Sequence, residues 1–304
     1  MIFEAPEAAL AGAYPQRPFR LRHHLRDHPL FSLPALLELA SRLPPDSIEY
    51  NAGDIPIDQD PDKTPMTGLS IAETIRRIEE YNSWMVIHHV EREAQYAAAL
   101  EECLAEIAPS AAKTTGRMYK KMGFIFVSSP GAVTPLHLDP EHNILMQIGG
   151  AKRIHIYPAD KGVVPAERHE EYHAGAAHRN LRHKPEFDAL MEAYDLAPGD
   201  GVYVPVKAPH WVKNGDAPSI SFSITWRSRA SDNEARLRLA NHAVRRLGGR
   251  PPEFDDIARL PYTRAVIEET LRLYPPVPIL AREALADETV GGMATPKGSI
   301  VMVV

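Results

Sequence analysis

A change of hydrophobic period near residue 118 constrains this chain more than any other feature. Downstream of it apolar residues recur every second position in short runs: GFIFVSS (123–129), NILMQI (143–148), KRIHIY (152–157), GVYVPV (201–206) and SISFSITW (219–226). Pro and Gly punctuate the joins, so each run reads as a strand. Several short strands in succession predict a mainly β fold closed as a barrel or sandwich. Upstream the spacing is helical. Ser32 caps a short helix to Arg42. Ser70 and Glu73 form a capping box ahead of IAETIRRIEEYNSW, and 54–65 is a Pro/Asp-broken loop. A helix over 91–107 carries Cys103, which reads as a buried, inert thiol because no cationic neighbour is evident. The two histidines 88 and 89 are expected to pack near a helix junction. A polar insert, 158–195, holds His169, His173, His178 and His183; the pair 169/173 reads as a solvated helix face rather than a metal site. A further helix spans 232–247, after which the texture changes. The predicted domains are 1–247 and 248–304.

Composition narrows the function classes. With 34 Lys+Arg against 40 Asp+Glu, the charge of −6 argues against a general nucleic-acid binder. The single cysteine excludes an internal disulfide framework and multi-cysteine zinc or iron–sulfur sites. No apolar run reaches membrane-span length and the N-terminus lacks a secretory pattern, so the expectation is a soluble, cytoplasmic protein without a membrane partner.

The chemistry concentrates in GAVTPLHLDPEHNILMQIGG (131–150). On a strand, His137 and Asp139 share a face and can grip one ion from one wall. A second segment, Gly199-x5-Pro205-x4-His210-x3-Asn214, supplies His210 from another strand. Two imidazoles and one carboxylate form a facial triad with three open positions, which suits non-haem Fe(II); Zn²⁺ ranks second. His142 and His155 fall on the wrong alternation. Lys152 is in phase with Ile154 and Ile156, which puts an ammonium on the apolar inner face at a cost unless an anion meets it.

These two segments resemble the paired cupin motifs, with Asp139 where the second histidine usually stands and Asn143 where the usual glutamate stands. TPLHLDPEHNILMQIGGAKRIHIYPAD resembles more closely the JmjC/cupin-like hydroxylases, the group that includes the asparaginyl hydroxylase of hypoxia-inducible factor. The resemblance spans about 20–230 as an architecture, most specifically 123–157 and 198–226. It implies a double-stranded β-helix (cupin/jelly-roll barrel) with helical additions, and Fe(II)- and 2-oxoglutarate-dependent hydroxylation. It implies His137, Asp139 and His210 as metal ligands, and Lys152 with Thr134 as anchors of the 2-oxoglutarate carboxylate. Arg227, the rival cation, is expected to point outward, because Ile220, Phe222, Ile224 and Trp226 form the apolar face of its strand. Asn143 and Trp226 match pocket-lining positions; a strand-end amide and a core aromatic are their equally ordinary readings. Ile224 departs from a polar residue of the hypoxia-factor enzyme, which bears on a peptide substrate.

LPYTRAVIEETLRLYPPVPILAREAL (260–285) resembles the K-helix region of cytochromes P450, and ATPKGSIVMVV the strands that follow it. Glu269 and Arg272 match the E-x-x-R ion pair, and Arg282 a position that approaches a haem propionate. The haem-ligand cysteine loop and the oxygen-activating helix have no counterpart here, so no haem is expected and the tail reads as a truncated α+β fragment, poorly ordered or packed opportunistically on the barrel. The sequence thus points to an Fe(II)/2-oxoglutarate oxygenase of a protein or small-molecule substrate, with a homodimer open. A non-catalytic metal-binding cupin module and a haem monooxygenase are the alternatives.

Overall fold

The computed structural model describes residues 1–59, 68–80, 82–159, 162–251, 256, 261–273, 280–290 and 293–303. The chain divides into two compact units, Met1–Leu247 and Gly248–Val304. The first runs α1 (Pro6–Leu10), β1 (Phe19–Arg22), α2 (Leu33–Arg42), β2 (Ile48–Ala52), α3 (Ile71–Arg76), β3 (Ser83–His88), α4 (Ala94–Thr115), β4 (Tyr119–Ser128), β5 (Val133–His137), β6 (His142–Gly149), β7 (Lys152–Ile156), α5 (Ala166–His173), β8 (Glu192–Leu196), β9 (Asp200–Val204), β10 (His210–Asn214), β11 (Ser219–Arg227) and α6 (Arg229–Arg246).

Two antiparallel sheets make the jelly-roll barrel. The larger has the order β1-β9-β6-β11-β4-β3-β2 and the smaller β5-β10-β7-β8. Alternation sorts the larger sheet's side chains between two buried faces. Met85, Ile87, Ile125, Val127, Ile144, Met146, Tyr203, Phe222, Ile224 and Trp226 pack with Leu36, Leu39, Leu100, Leu104 and Ile107 of α2 and α4. Their neighbours on the same strands turn inward: Leu145, Val202 and Val204 meet Ile154, Ile156 and Val212 of the smaller sheet. Inward polar groups pair with one another. Ser221 Oγ donates to Gln147 Oε1 at 2.8 Å and Ser223 Oγ to Asn143 Oδ1 at 2.6 Å. Gly150 (φ +66) turns β6 into β7, and a Cβ there would sit 2.1 Å from the Pro218 carbonyl oxygen.

Several elements depart from local expectation. The Ser70/Glu73 capping box forms, yet its helix stops at Arg76. Ser83 and Trp84 instead begin β3, which is paired on both sides by β2 and β4, so long-range pairing overrides the helical period. Strands β1, β2 and β8 escape the sequence reading because each is short and partly polar. Helix α4 passes through Pro109 to Thr115, where Thr115 Oγ1 meets the Tyr14 hydroxyl at 2.7 Å. Cys103 is fully buried, and burial pushes its thiol up to about 12, an unreactive thiol. The insert is more ordered than a solvated loop. His169 and Glu170 of α5 are buried, and Glu170 accepts from Arg245 of α6 at 2.7 Å, which neutralises the acid where α5 packs on α6. No helix among the described residues is long and apolar enough to cross a membrane.

The second unit contains α7 (Pro261–Leu273), β12 (Leu280–Glu283), β13 (Glu288–Val290), β14 (Met293–Thr295) and β15 (Ile300–Val303), with β12 paired to β15 and β13 to β14. Its described residues form these two backbone ladders and one helix. Glu269 and Arg272 form the expected pair at 2.6 Å on α7.

Every strand of both barrel sheets lies before residue 248. A chain ending at Leu247 is therefore expected to unfold cooperatively with unchanged far-UV circular dichroism per barrel residue. An insoluble product or a broad melt would mean that residues 248–304 complete the barrel's core.

Candidate metal centre

His137 ends β5 and His210 begins β10, and the antiparallel register sets them directly opposite each other. Their ring centroids lie 4.2 Å apart. Asp139 follows two residues after His137, beyond the strand end, and its main-chain oxygen accepts from Lys207 N at 2.8 Å. That bond ties it to the turn that delivers His210. The Asp139 Oδ2 atom stands 3.8 Å from His137 Nε2 and 3.6 Å from His210 Nε2. Among the described residues this is the one group of three His, Cys, Asp or Glu side chains whose ligand atoms all fall within 4.8 Å of one another. The His169/His173 pair has no such third member.

The tautomers are set by the backbone. His137 Nδ1 lies 2.7 Å from the Pro135 carbonyl and His210 Nδ1 2.9 Å from that of Ala208. A carbonyl only accepts, so both Nδ1 atoms carry the hydrogen and both Nε2 lone pairs face Asp139. This is the arrangement of metal-binding histidines oriented from behind. Burial lowers the affinity of both imidazoles for protons, and His210 beside it lowers that of His137 further. Burial alone would raise Asp139; His137, Arg179 and His210 together hold it below the usual carboxylate range, at about 2. With the imidazoles neutral at neutral pH, Arg179 is the standing cation, and its Nη1 donates to Asp139 Oδ1 at 3.2 Å. The site thus presents two neutral nitrogens and one ionised oxygen, a donor set that fits a divalent ion.

Arg179 comes from the insert, which the sequence reading searched for histidines only. Its segment runs beside β5: Leu138 N donates to Arg179 O at 3.2 Å and Leu181 N to Leu136 O at 2.9 Å. No spacing in the sequence signals that approach. The triad opens into a cavity of ≈ 70 Å³ that Thr134, Asn143, Lys152 and Arg179 also line, with Trp84, Val86, His88, Phe124, Phe126 and Leu145 as its largely apolar wall. His88 reaches it from the end of β3, with its ring edge-on to Phe124.

Lys152 is 6% exposed and makes no hydrogen bond or ion pair among the described residues; its Nζ lies 5.9 Å from the Phe126 ring centroid. Burial pulls its ammonium down to about 7. Arg227 is occupied elsewhere, donating to Glu141 Oε1 at 2.7 and 3.0 Å. Trp226 is not at the cavity. It belongs to the core facing the helices and stacks on His142, centroids 5.2 Å apart, because the apolar face of β11 is the outer one and Ser223 and Thr225 face inward. His142 is held by the Tyr203 and Ser228 hydroxyls, and His155 stacks on Trp211; neither reaches the triad.

Residues 107–233 match the JmjC domain family and residues 221–304 the cytochrome P450 family. Jumonji C domain-containing protein 5 of Drosophila melanogaster is 35% identical over 106 residues, which are 32% of this chain and 25% of that protein. Cytochrome P450 714C2 of Oryza sativa subsp. japonica is 42% identical over 74 residues, 24% of this chain and 14% of that protein. The chain therefore spans a quarter or less of the length of these relatives. The X-ray structure of E. coli ycfD shares the fold at a TM-score of 0.52 and 18% identity, covering 91% of this chain and 70% of that one. The JmjC match begins inside α4 and runs through every strand from β4 to β11.

Proposed function

We propose that Met1–Leu247 is an Fe(II)- and 2-oxoglutarate-dependent oxygenase acting on a protein or small-molecule substrate. The observation that carries this reading is one buried cavity holding both a facial His–Asp–His set and an unpaired lysine. His137, Asp139 and His210 would hold the metal on one face, and three positions on a six-coordinate ion stay open. Bound there with its cosubstrate, Fe(II) supplies oxygen activation coupled to decarboxylation of 2-oxoglutarate to succinate and CO₂. Lys152 Nζ and the Thr134 hydroxyl bind the distal carboxylate. Asn143, whose Oδ1 accepts from Ser223, keeps its amide nitrogen for donation into the cavity. Arg179 fixes Asp139 so that one carboxylate oxygen faces the imidazoles. The wall of Trp84, Phe124 and Phe126 excludes water from the reacting centre. Succinate formed from 2-oxoglutarate by the iron-loaded chain, with pools of peptide and small-molecule substrates, is the direct test; a chain that binds metal and never makes succinate is the non-catalytic module instead.

One Fe(II) per chain is expected by metal analysis, lost in His137→Ala or His210→Ala because two remaining ligands hold the ion weakly. Stoichiometric binding by the double variant would remove the triad from the site.

Lys152→Met keeps most of the stem and removes the charge. A charge-assisted hydrogen bond contributes on the order of 1.5–3 kcal/mol, so calorimetry should show 2-oxoglutarate binding weakened about tenfold to a hundredfold, with Fe(II) affinity nearly unchanged.

The same variant has a pH signature in the metal-free chain. Lys152 takes up its proton at about 7 in the fold against 10.5 ordinarily. Between those values the unfolded chain binds more protons, so wild-type stability rises with pH across that window. Below pH 7 the charged, buried ammonium costs the fold roughly 3–5 kcal/mol, and Lys152→Met should be more stable by that order. Chemical denaturation at pH 6 and pH 10 checks it: the variant's advantage should shrink at the higher pH, and a constant difference contradicts the assignment.

A further inference from the structure

We propose that Glu234 of α6 is a positioning residue for the metal centre: through Lys207 it holds the turn on which Asp139 and His210 depend. The inference rests on the metal-binding reading above. The turn joins β9 to β10 and is closed by Ala208 N–H, which donates to the Pro205 carbonyl at 3.0 Å. Lys207, its third residue, has a φ of 64°, a left-handed conformation that favours glycine and crowds a β-carbon. Such a residue persists where its surroundings over-determine it. Here they do. The Lys207 ammonium donates to Glu234 Oε1, and the two side chains are only 13% and 28% exposed. Arg238, one turn further along α6, donates to the same oxygen at 2.8 Å. The start of α6 is itself tied to the barrel. Ser228 Oγ lies 3.0 Å from His142 Nε2, and the Ser228 carbonyl accepts from the Tyr119 hydroxyl at 3.0 Å.

Two of the three candidate ligands hang on this turn. Lys207 N–H donates to the Asp139 carbonyl at 2.8 Å, and Asp139 lies beyond the end of β5, outside its strand ladder. The Ala208 carbonyl, next in the chain, accepts from His210 Nδ1 at 2.9 Å and so aims the other nitrogen of that ring. His137 is oriented separately, by the Pro135 carbonyl of its own strand. A displaced Lys207 therefore moves Asp139 and His210 relative to His137. A fully exposed ion pair would hold the turn weakly. This one is largely enclosed, and without Glu234 the Lys207 ammonium would be left beside the Arg238 guanidinium with little water to screen it.

Co(II), which absorbs in the visible, is the probe, titrated into the full chain. Glu234→Ala cuts the tether at α6. Lys207→Gly cuts it at the turn and suits the left-handed backbone there. Each should weaken Co(II) binding about tenfold, and the double variant should bind as the single variants do, because both changes remove one contact. Unchanged affinity in either single variant, or losses that add in the double, overturn the proposal and leave the triad standing. A wild type that takes up no Co(II) overturns the metal-binding reading itself. Should these variants fail to fold, Glu234→Gln, which keeps the side chain's size and removes its charge, is read without metal by amide hydrogen exchange. The Lys207 amide should lose protection while the amides of β11 keep theirs. Equal loss at both places, or no loss at Lys207, overturns the proposal.

Discussion

The central strands of the seven-stranded sheet are buried on both faces, and this double burial decides where their side chains point. Residues on one alternation of β4, β6 and β11 meet α2 and α4 and are largely apolar, with His142 stacked on Trp226 among them. Residues on the other meet the smaller sheet and the cavity, and many are polar. Such groups are tolerable in a dry interior only when paired, and Ser221 with Gln147 and Ser223 with Asn143 supply the partners. A one-residue slip of β11 would send Phe222, Ile224 and Trp226 into the cavity and leave four hydroxyls among helices. The register is therefore also what keeps the cavity polar.

That interior then sets the charges of the candidate metal centre. Burial keeps the imidazoles neutral, the backbone carbonyls of Pro135 and Ala208 turn their bare nitrogens to one point, and Arg179 holds Asp139 ionised. Each effect comes from a different part of the chain: a strand end, a turn and the insert. Lys152 and Trp84 show the opposite condition. Both residues are buried and neither donor meets an acceptor among the described residues, which lowers the stability of the fold.

The two units carry two different family likenesses, and the matches overlap over residues 221–233. The fold assigns Ser221–Arg227 of that overlap to β11, the central strand between β4 and β6, so these residues are structurally barrel. The Glu269–Arg272 pair of α7 is more than half exposed on both sides, and an exposed pair of this type contributes little stability alone. Its interest lies in the sequence texture it marks.

Lys152 was legible because strand alternation is a local rule: residues two apart face alike, whereas Asp139 meets His137 from beyond the end of β5, His210 comes from another strand and Thr134 was implied by the family resemblance. The same rule misled at Trp226, since an apolar face identifies a buried surface without saying which of two buried surfaces it is. Short partners such as β1, β2 and β8 left no periodic mark, and the helix expected after Ser70 yielded to β3 pairing that spans distant segments. Arg179 and Trp84 reach the cavity only because the insert runs beside β5 and β3 lies beside β4. The sequence by itself determined the barrel class, because apolar alternation lies within single strands, and it offered His137, Asp139 and His210 as candidate ligands through residue type and family resemblance. Only the tertiary structure decided which cation meets Asp139, which aromatic closes the cavity and which face of each strand is inner, because those depend on contacts between segments that no local period encodes.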